Sequence, residues 1–237
     1  MPVAERDLFV QSIPVSDAGS FGFLEASTIR SYQEHVDLHY CCFNNNYKIS
    51  PAVFDIWMRI LAQVDGSVLW LHERAARAAD SLRTQASTRG TRPERLVFAE
   101  RMPRLADHLA RHRAADLFLD TIPFNAHTTA VDALWAGLPV LTQLGASFAG
   151  RVAASLLHAI GLPELITTTA EEYESRAVEL GSDVGRLRGL KQHLAVKRQT
   201  TPLFASERFT RGIEDAFARM HERNRAGLAP DHIDLSG

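Results

Sequence analysis

The hydrophobic positions along this chain change their period in a regular alternation. Short unbroken apolar runs at 38–43, 67–71, 95–99, 116–120, 140–142 and 165–167 have the length of buried parallel strands. Between them, apolar residues recur at helical spacing. Val53, Ile56, Trp57, Ile60 and Leu61 form one such stripe, and Val131, Leu134 and Trp135 form another. Strands that alternate with helices predict an α/β fold: a Rossmann-like, doubly wound parallel sheet covered on both faces.

Punctuation residues sharpen the boundaries. Ser50 followed by Pro51 reads as a helix cap and first helical residue, opening a helix to about residue 63. Asp65-Gly66 turns the chain. Residues 74–89, rich in Ala and Arg, read as an exposed helix, and 104–113 as another. Gly137 and then Pro139 stop the helix that begins near His127. A helix is expected over 148–160, ended by Gly161 and Pro163. Thr169 with Glu172 resembles a capping box for a helix to about 180, and two further helices, 183–199 and 206–225, have no strand between them. The expected organisation is an irregular arm or remnant at 1–37, one lobe with extra C-terminal helices at 38–226, and a poorly ordered tail at 227–237.

Composition narrows the classes. A net charge of −2 gives no reason to expect a nucleic-acid partner. The only cysteines, Cys41 and Cys42, are adjacent, which excludes a disulfide framework and fits a reducing, cytoplasmic setting. The first residues carry acidic groups and no long apolar core, so no secretory signal is expected. No apolar run approaches the roughly eighteen residues of a membrane span.

In such a fold, ligands bind at the carboxyl ends of the strands. The loops at that edge carry Asn45 and Lys48 after the first strand, Arg104, His108 and Arg111 after the third, and Asn125, His127, Thr128, Thr129 and Asp132 after the fourth. The helix opening at His127 follows its strand closely, so its free backbone N–H groups make an anion site. Thr128 and Thr129 add hydroxyl donors, and Asp132 lies one turn on, within reach of a sugar hydroxyl. Lys48 and this helix end together suit a diphosphate. The same threonines would serve equally as plain helix caps, with Asp132 solvated. No Gly-x-Gly-x-x-Gly and no P-loop is present. His108 and His127 lack a metal-ligand pattern, and each taken singly is more often a structural hydrogen-bonder. No Ser/His/Asp order suggests nucleophilic catalysis.

The segments CCFNNNYKISP, SVLWL, LFLDTIPFNAHTTAVDALWAGLPVLT, GASFAGRVAASLL, LPELI and TPLFASERFT, in this order, closely resemble the C-terminal catalytic half of the O-linked N-acetylglucosamine (O-GlcNAc) transferase family, which includes bacterial members and plant O-fucosyltransferase relatives. The resemblance covers about residues 40–233. It implies one lobe of a GT-B glycosyltransferase that binds UDP-GlcNAc without a metal or other cofactor and passes the sugar to Ser or Thr of a protein acceptor. It further implies that Lys48 contacts the diphosphate as the catalytic cation, with Asn45 beside it where the animal enzymes carry glutamine. His108 and Arg111 lie near the uracil. Arg104 stands in place of a lysine, with one residue inserted before His108. His127, Thr128 and Thr129 form the phosphate-binding helix start, and Asp132 holds the ribose. The family's tetratricopeptide repeats and N-terminal catalytic half are not expected within residues 1–37. The chain therefore reads as half an enzyme, inactive alone, whose partner would be a separate N-terminal half or repeat-containing chain. The alternatives are a non-catalytic nucleotide-sugar module, a truncated remnant, or a fucosyl relative using GDP-fucose.

Overall fold

The computed structural model describes residues 38–73 and 75–235. The arm expected at 1–37 lies outside them. Six strands form one parallel sheet: β1 (Leu38–Cys42), β2 (Ser67–His72), β3 (Leu96–Ala99), β4 (Leu117–Leu119), β5 (Val140–Gln143) and β6 (Ile166–Thr167), in the order β3-β2-β1-β4-β5-β6. The strand order reverses between β1 and β4, and that junction is the topological switch point where α/β sheets open a crevice.

Helices α1 (Pro51–Gln63), α2 (Ala76–Ser87), α3 (Leu105–His112), α4 (Thr128–Ala136), α5 (Val152–Ile160), α6 (Ala170–Ser182), α7 (Val184–Lys197) and α8 (Ser206–Arg225) complete the lobe. α1 packs against α6 on one face, and α3, α4 and α5 pack in succession as a second layer. The expected starts and stops hold at most helices. Ser50 accepts the N–H of Val53 with Pro51 at the first helical position. Gly137, at φ 88°, ends α4 in the left-handed conformation that glycine adopts without strain. At α6 the Thr169 hydroxyl caps Glu172, while the Glu172 carboxylate turns back to the N–H and hydroxyl of Thr168, one residue earlier than in a standard capping box.

Two aromatic side chains tie the layers together through polar tips. The Tyr40 hydroxyl donates to the carbonyl of Ala177 in α6 at 2.7 Å. Trp57 of α1 donates to the Tyr173 hydroxyl, which donates in turn to the carbonyl of Asp120 at the end of β4. Such partners are what allow tyrosine and tryptophan to be fully buried. Gly181 makes room for this packing: a Cβ there would lie 1.9 Å from the Tyr40 hydroxyl oxygen.

The segment expected as one helix over 148–160 is divided. A 3₁₀ turn, Phe148–Gly150, precedes α5, and Arg151 separates the two. The reason is tertiary. The backbone of Gly145 hydrogen-bonds to Gly150, Ser147 caps Gly150, and a Cβ on Gly150 would stand 3.0 Å from the carbonyl oxygen of Pro123. The turn is thereby folded under the loop that leads into α4.

The C-terminal part is extended and exposed. α8 buries none of its residues, and the described part of the tail, 227–235, runs without helix or strand and is tied back to α8 by Arg219 on the carbonyl of Asp234 and Arg223 on that of Ala229.

Candidate nucleotide-sugar site

The loops from β1 and β4 meet at the switch point. After β1 the chain makes a 3₁₀ turn, Asn46–Lys48, before the Ser50 cap of α1. The Ser50 hydroxyl also donates to the carbonyl of Ile122, so the two loops are joined. Lys48 then reaches across: its ammonium donates to the carbonyl of Asn125 at 2.9 Å and stands 4.2 Å from the centre of the Phe124 ring. Partial burial lowers the Lys48 pKa, and the nearby Asp120 carboxylate opposes that shift. Asn45 lies on the same loop, half-buried, and its carbonyl accepts the Lys48 backbone N–H.

His127 occupies the cap position of α4 without capping it by its side chain. Its ring stacks on Phe124 at 5.1 Å, meets the edge of Phe148 at 6.0 Å, and carries Nε2 within 3.3 Å of the Ala149 carbonyl. The imidazole is therefore anchored by the loop that Gly150 folds into place. Thr128 and Thr129 open α4, Thr128 exposed and Thr129 half-buried, and neither hydroxyl has a partner among the described residues. The sequence offered capping or anion binding for these two, and they make no capping bond. The first backbone N–H groups of α4 have no intrahelical acceptor. Lys48 and this helix end thus converge on one loop.

A second group lies farther along α4. His108 of α3 has Nε2 3.9 Å from an oxygen of Asp132. Burial, reinforced by the Arg111 guanidinium, lowers the His108 pKa to about 4, so at neutral pH the imidazole is uncharged and this contact is not an ion pair. Arg111 is buried. It donates to the Glu100 carbonyl at 2.8 Å, touches Nδ1 of His108, and stacks over Phe43 at 4.7 Å. It acts on this region through His108 rather than as an exposed donor. His112, fully buried behind them, bonds the His108 carbonyl and has its pKa lowered to about 3 by burial and by His108. Arg104, at the cap of α3, turns to a bidentate pair with Asp107 and is 74% exposed.

Of the residues singled out from sequence, Lys48, Asn45, His127, Thr128 and Thr129 lie on the loops after β1 and β4 and the start of α4 at the switch point, while His108, Arg111 and Asp132 form one cluster between α3 and α4. Arg104 stands at the rim. One group was not anticipated: Asp120, Asn44 and Thr142 beneath the loop. Asp120 counted only as the last residue of a buried apolar run, and a carboxylate in that position was the available signal. Among the described residues no group of His, Cys, Asp and Glu could hold a metal ion.

The six-stranded, doubly wound parallel sheet flanked by helices is the fold of one lobe of a GT-B glycosyltransferase. The fold is shared with the trehalose-phosphate synthase of Burkholderia xenovorans, with a TM-score of 0.55 at 17% identity, covering 88% of this chain and 49% of that one. Residues 27–213 match the model of glycosyl transferase family 41, and the chain belongs to that family. It is 38% identical over 194 residues to the UDP-N-acetylglucosamine–peptide N-acetylglucosaminyltransferase of Caenorhabditis elegans, covering 82% of this chain and 17% of the relative. It is 36% identical to the probable enzyme of the same description, SEC, from Arabidopsis thaliana, covering 83% and 20%. A mutant O-GlcNAc transferase from Thermobaculum terrenum superposes with a TM-score of 0.73 at 38% identity, covering 77% of this chain and 36% of that one. The chain thus spans about a fifth of the curated relatives' length and about a third of the solved one.

Proposed function

We propose that this chain is the donor-binding lobe of a protein O-GlcNAc transferase and holds UDP-GlcNAc at the switch point. The observation that carries this reading is the convergence of Lys48 and the start of α4 on the single loop 121–127. An ammonium and an oriented helix end complement a diphosphate. Asp132, one turn farther along α4, and His108 of α3 beside it suit a ribose hydroxyl and a base: a carboxylate accepts from a hydroxyl, and a neutral imidazole exchanges hydrogen bonds with a base edge.

In the complete enzyme, the Ser or Thr oxygen of a protein acceptor bonds to C1 of the sugar as the bond from C1 to the β-phosphate oxygen breaks. The electron pair leaves with UDP, and the hydroxyl proton passes to a base on the acceptor side. This lobe's share is electrostatic. Lys48 and the α4 N–H groups stabilise charge as it develops on the departing diphosphate, so the step needs no metal. We place the reaction in a reducing cytoplasm, consistent with two free cysteines.

Titration of the chain with UDP and, in parallel, GDP tests the reading. Saturable UDP binding with much weaker GDP binding is the expected result. No UDP binding would overturn it, and a preference for GDP would transfer the site to a guanosine-diphosphate sugar.

A further inference from the structure

We infer that Asp120 is a positioning residue for the diphosphate, the group that fixes Lys48 and the start of α4 in a common geometry. This rests on the nucleotide reading above. Asp120 is fully buried at the carboxyl end of β4, beneath the loops that follow β1 and β4. One of its carboxylate oxygens accepts the backbone N–H of Thr121 at 2.8 Å, that of Ala126 at 2.6 Å and the Asn44 side-chain amide at 3.3 Å. The other accepts the Thr142 hydroxyl at 2.7 Å. Its own carbonyl takes the Tyr173 hydroxyl. One side chain therefore gathers the ends of β1, β4 and β5 and closes the loop 121–126 on itself.

What that loop carries gives the carboxylate its role. The carbonyl of Asn125 is the acceptor for Lys48, and Ala126 precedes His127, the cap position of α4. Both charged partners proposed for the diphosphate hang on atoms adjacent to Asp120 bonds. A buried carboxylate is a costly way to fill space, and it is held here only because its donors are built around it. Four donors converging on it in charge-assisted bonds mark a group that defines geometry. Its negative charge also acts on Lys48, favouring the protonated ammonium against the desolvation that lowers its pKa.

An amide cannot reproduce this. Asn in place of Asp120 has one acceptor oxygen, and its NH₂ group would face a donor, either the Thr142 hydroxyl or the loop N–H groups. The experiment uses the whole chain and measures UDP and UMP affinities by calorimetry, with thermal unfolding alongside. The variants are Asp120→Asn, Thr142→Val, Lys48→Ala and the double Asp120→Asn/Lys48→Ala. We expect Asp120→Asn to weaken UDP about tenfold and UMP only two- to threefold, so that the preference for the second phosphate shrinks. Thr142→Val, which removes a single donor, should shift the same ratio in the same direction by less. In the Lys48→Ala background, Asp120→Asn should cost UDP binding clearly less than it does alone, because the share of its effect carried through Lys48 is already gone. A purely architectural role would lower the unfolding temperature and leave the UDP-to-UMP ratio intact, which overturns the inference. So does additivity of the two losses, or tighter UDP binding after removal of the charge. Should Asp120→Asn not fold, an unchanged ratio in Thr142→Val overturns it alone. Absence of UDP binding by the wild-type chain is a different failure, that of the nucleotide reading itself.

Discussion

At the scale of single residues, the site is governed by groups whose protonation the fold has shifted. Lys48 offers the clearest test. Its ammonium makes one charge-assisted contact in the free chain and is free to make another with a phosphate. Lys48→Ala should weaken UDP binding about ten- to a hundredfold, the equivalent of roughly 1.5–3 kcal/mol, and unchanged affinity in calorimetry would remove Lys48 from the site. Asp132→Ala should weaken UDP while affecting inorganic pyrophosphate much less, and equal losses for both ligands would mean that Asp132 supports the helix instead. The buried histidines and Asp120 also set the acid limb of stability, in opposite directions. His108 and His112 are held at about 4 and about 3, against the usual 6.5. As pH falls from 6.5, the unfolded chain takes up both protons and the folded chain does not, so stability is lost. Asp120 is raised by burial from 3.8 to about 6. Over that window the folded chain keeps a proton that the unfolded chain has released, so Asp120 lowers stability as pH rises. Near pH 5, two histidine protons less one carboxyl proton leave about one, a slope of roughly 1.4 kcal/mol per pH unit, with stability increasing toward neutrality. Chemical denaturation at several pH values should show that rise, and Asp120→Asn, if folded, should steepen it toward two protons. A flat profile between pH 4 and 6 would contradict the burial of these histidines.

At the scale of elements, what could be read from sequence was whatever is decided locally. Ser50-Pro51, Gly137, and Thr169 with Glu172 each fix a helix end through atoms within one turn, and those ends lie where the sequence puts them. The six strands were legible because parallel strands buried on both faces leave continuous apolar runs. The break at Gly150 was not legible, since its cause is a carbonyl in a different loop. Asp120 was missed for the same reason: its donors come from the loop after β1, from β5 and from the far end of its own loop. Similarly, the bonds of the Arg111 guanidinium to the Glu100 carbonyl and to His108 were not legible in sequence, since they are made by the packing of α3. Packing between elements is testable at Gly181, where α6 passes over β1. A Cβ there meets the Tyr40 hydroxyl at 1.9 Å, and Tyr40 and Leu38 carbons at 3.0 Å. Gly181→Ala should destabilise by about 3 kcal/mol, through overpacking and loss of the Tyr40–Ala177 bond. Combining it with Tyr40→Phe should recover part of that loss, since the nearest clash is with the hydroxyl. Additive losses in thermal or denaturant unfolding would place the strain elsewhere.

At the scale of the whole molecule, binding and turnover should come apart. The elements proposed to hold the donor lie in this lobe: the switch-point loops, Lys48, the start of α4, and the His108–Asp132 pair. The relatives with a transferase name are much longer, this chain covering 17–20% of two of them and 36% of the bacterial structure. In a two-lobed enzyme the sugar meets its acceptor between the lobes, so rate depends on groups that both lobes supply in the transition state. Affinity for the nucleotide depends chiefly on one of them. The 237-residue chain should therefore bind UDP measurably while transferring little or no sugar to protein. Labelled UDP-GlcNAc incubated with the purified chain and candidate acceptors should leave label in the donor or its slow hydrolysis products. Addition of an acceptor-side lobe from a family member should restore transfer, and Lys48→Ala should then abolish it through the donor side. Robust glycosylation by the monomeric chain alone would sink this separation, and would mean that the elements around α4 suffice to bring acceptor and donor together.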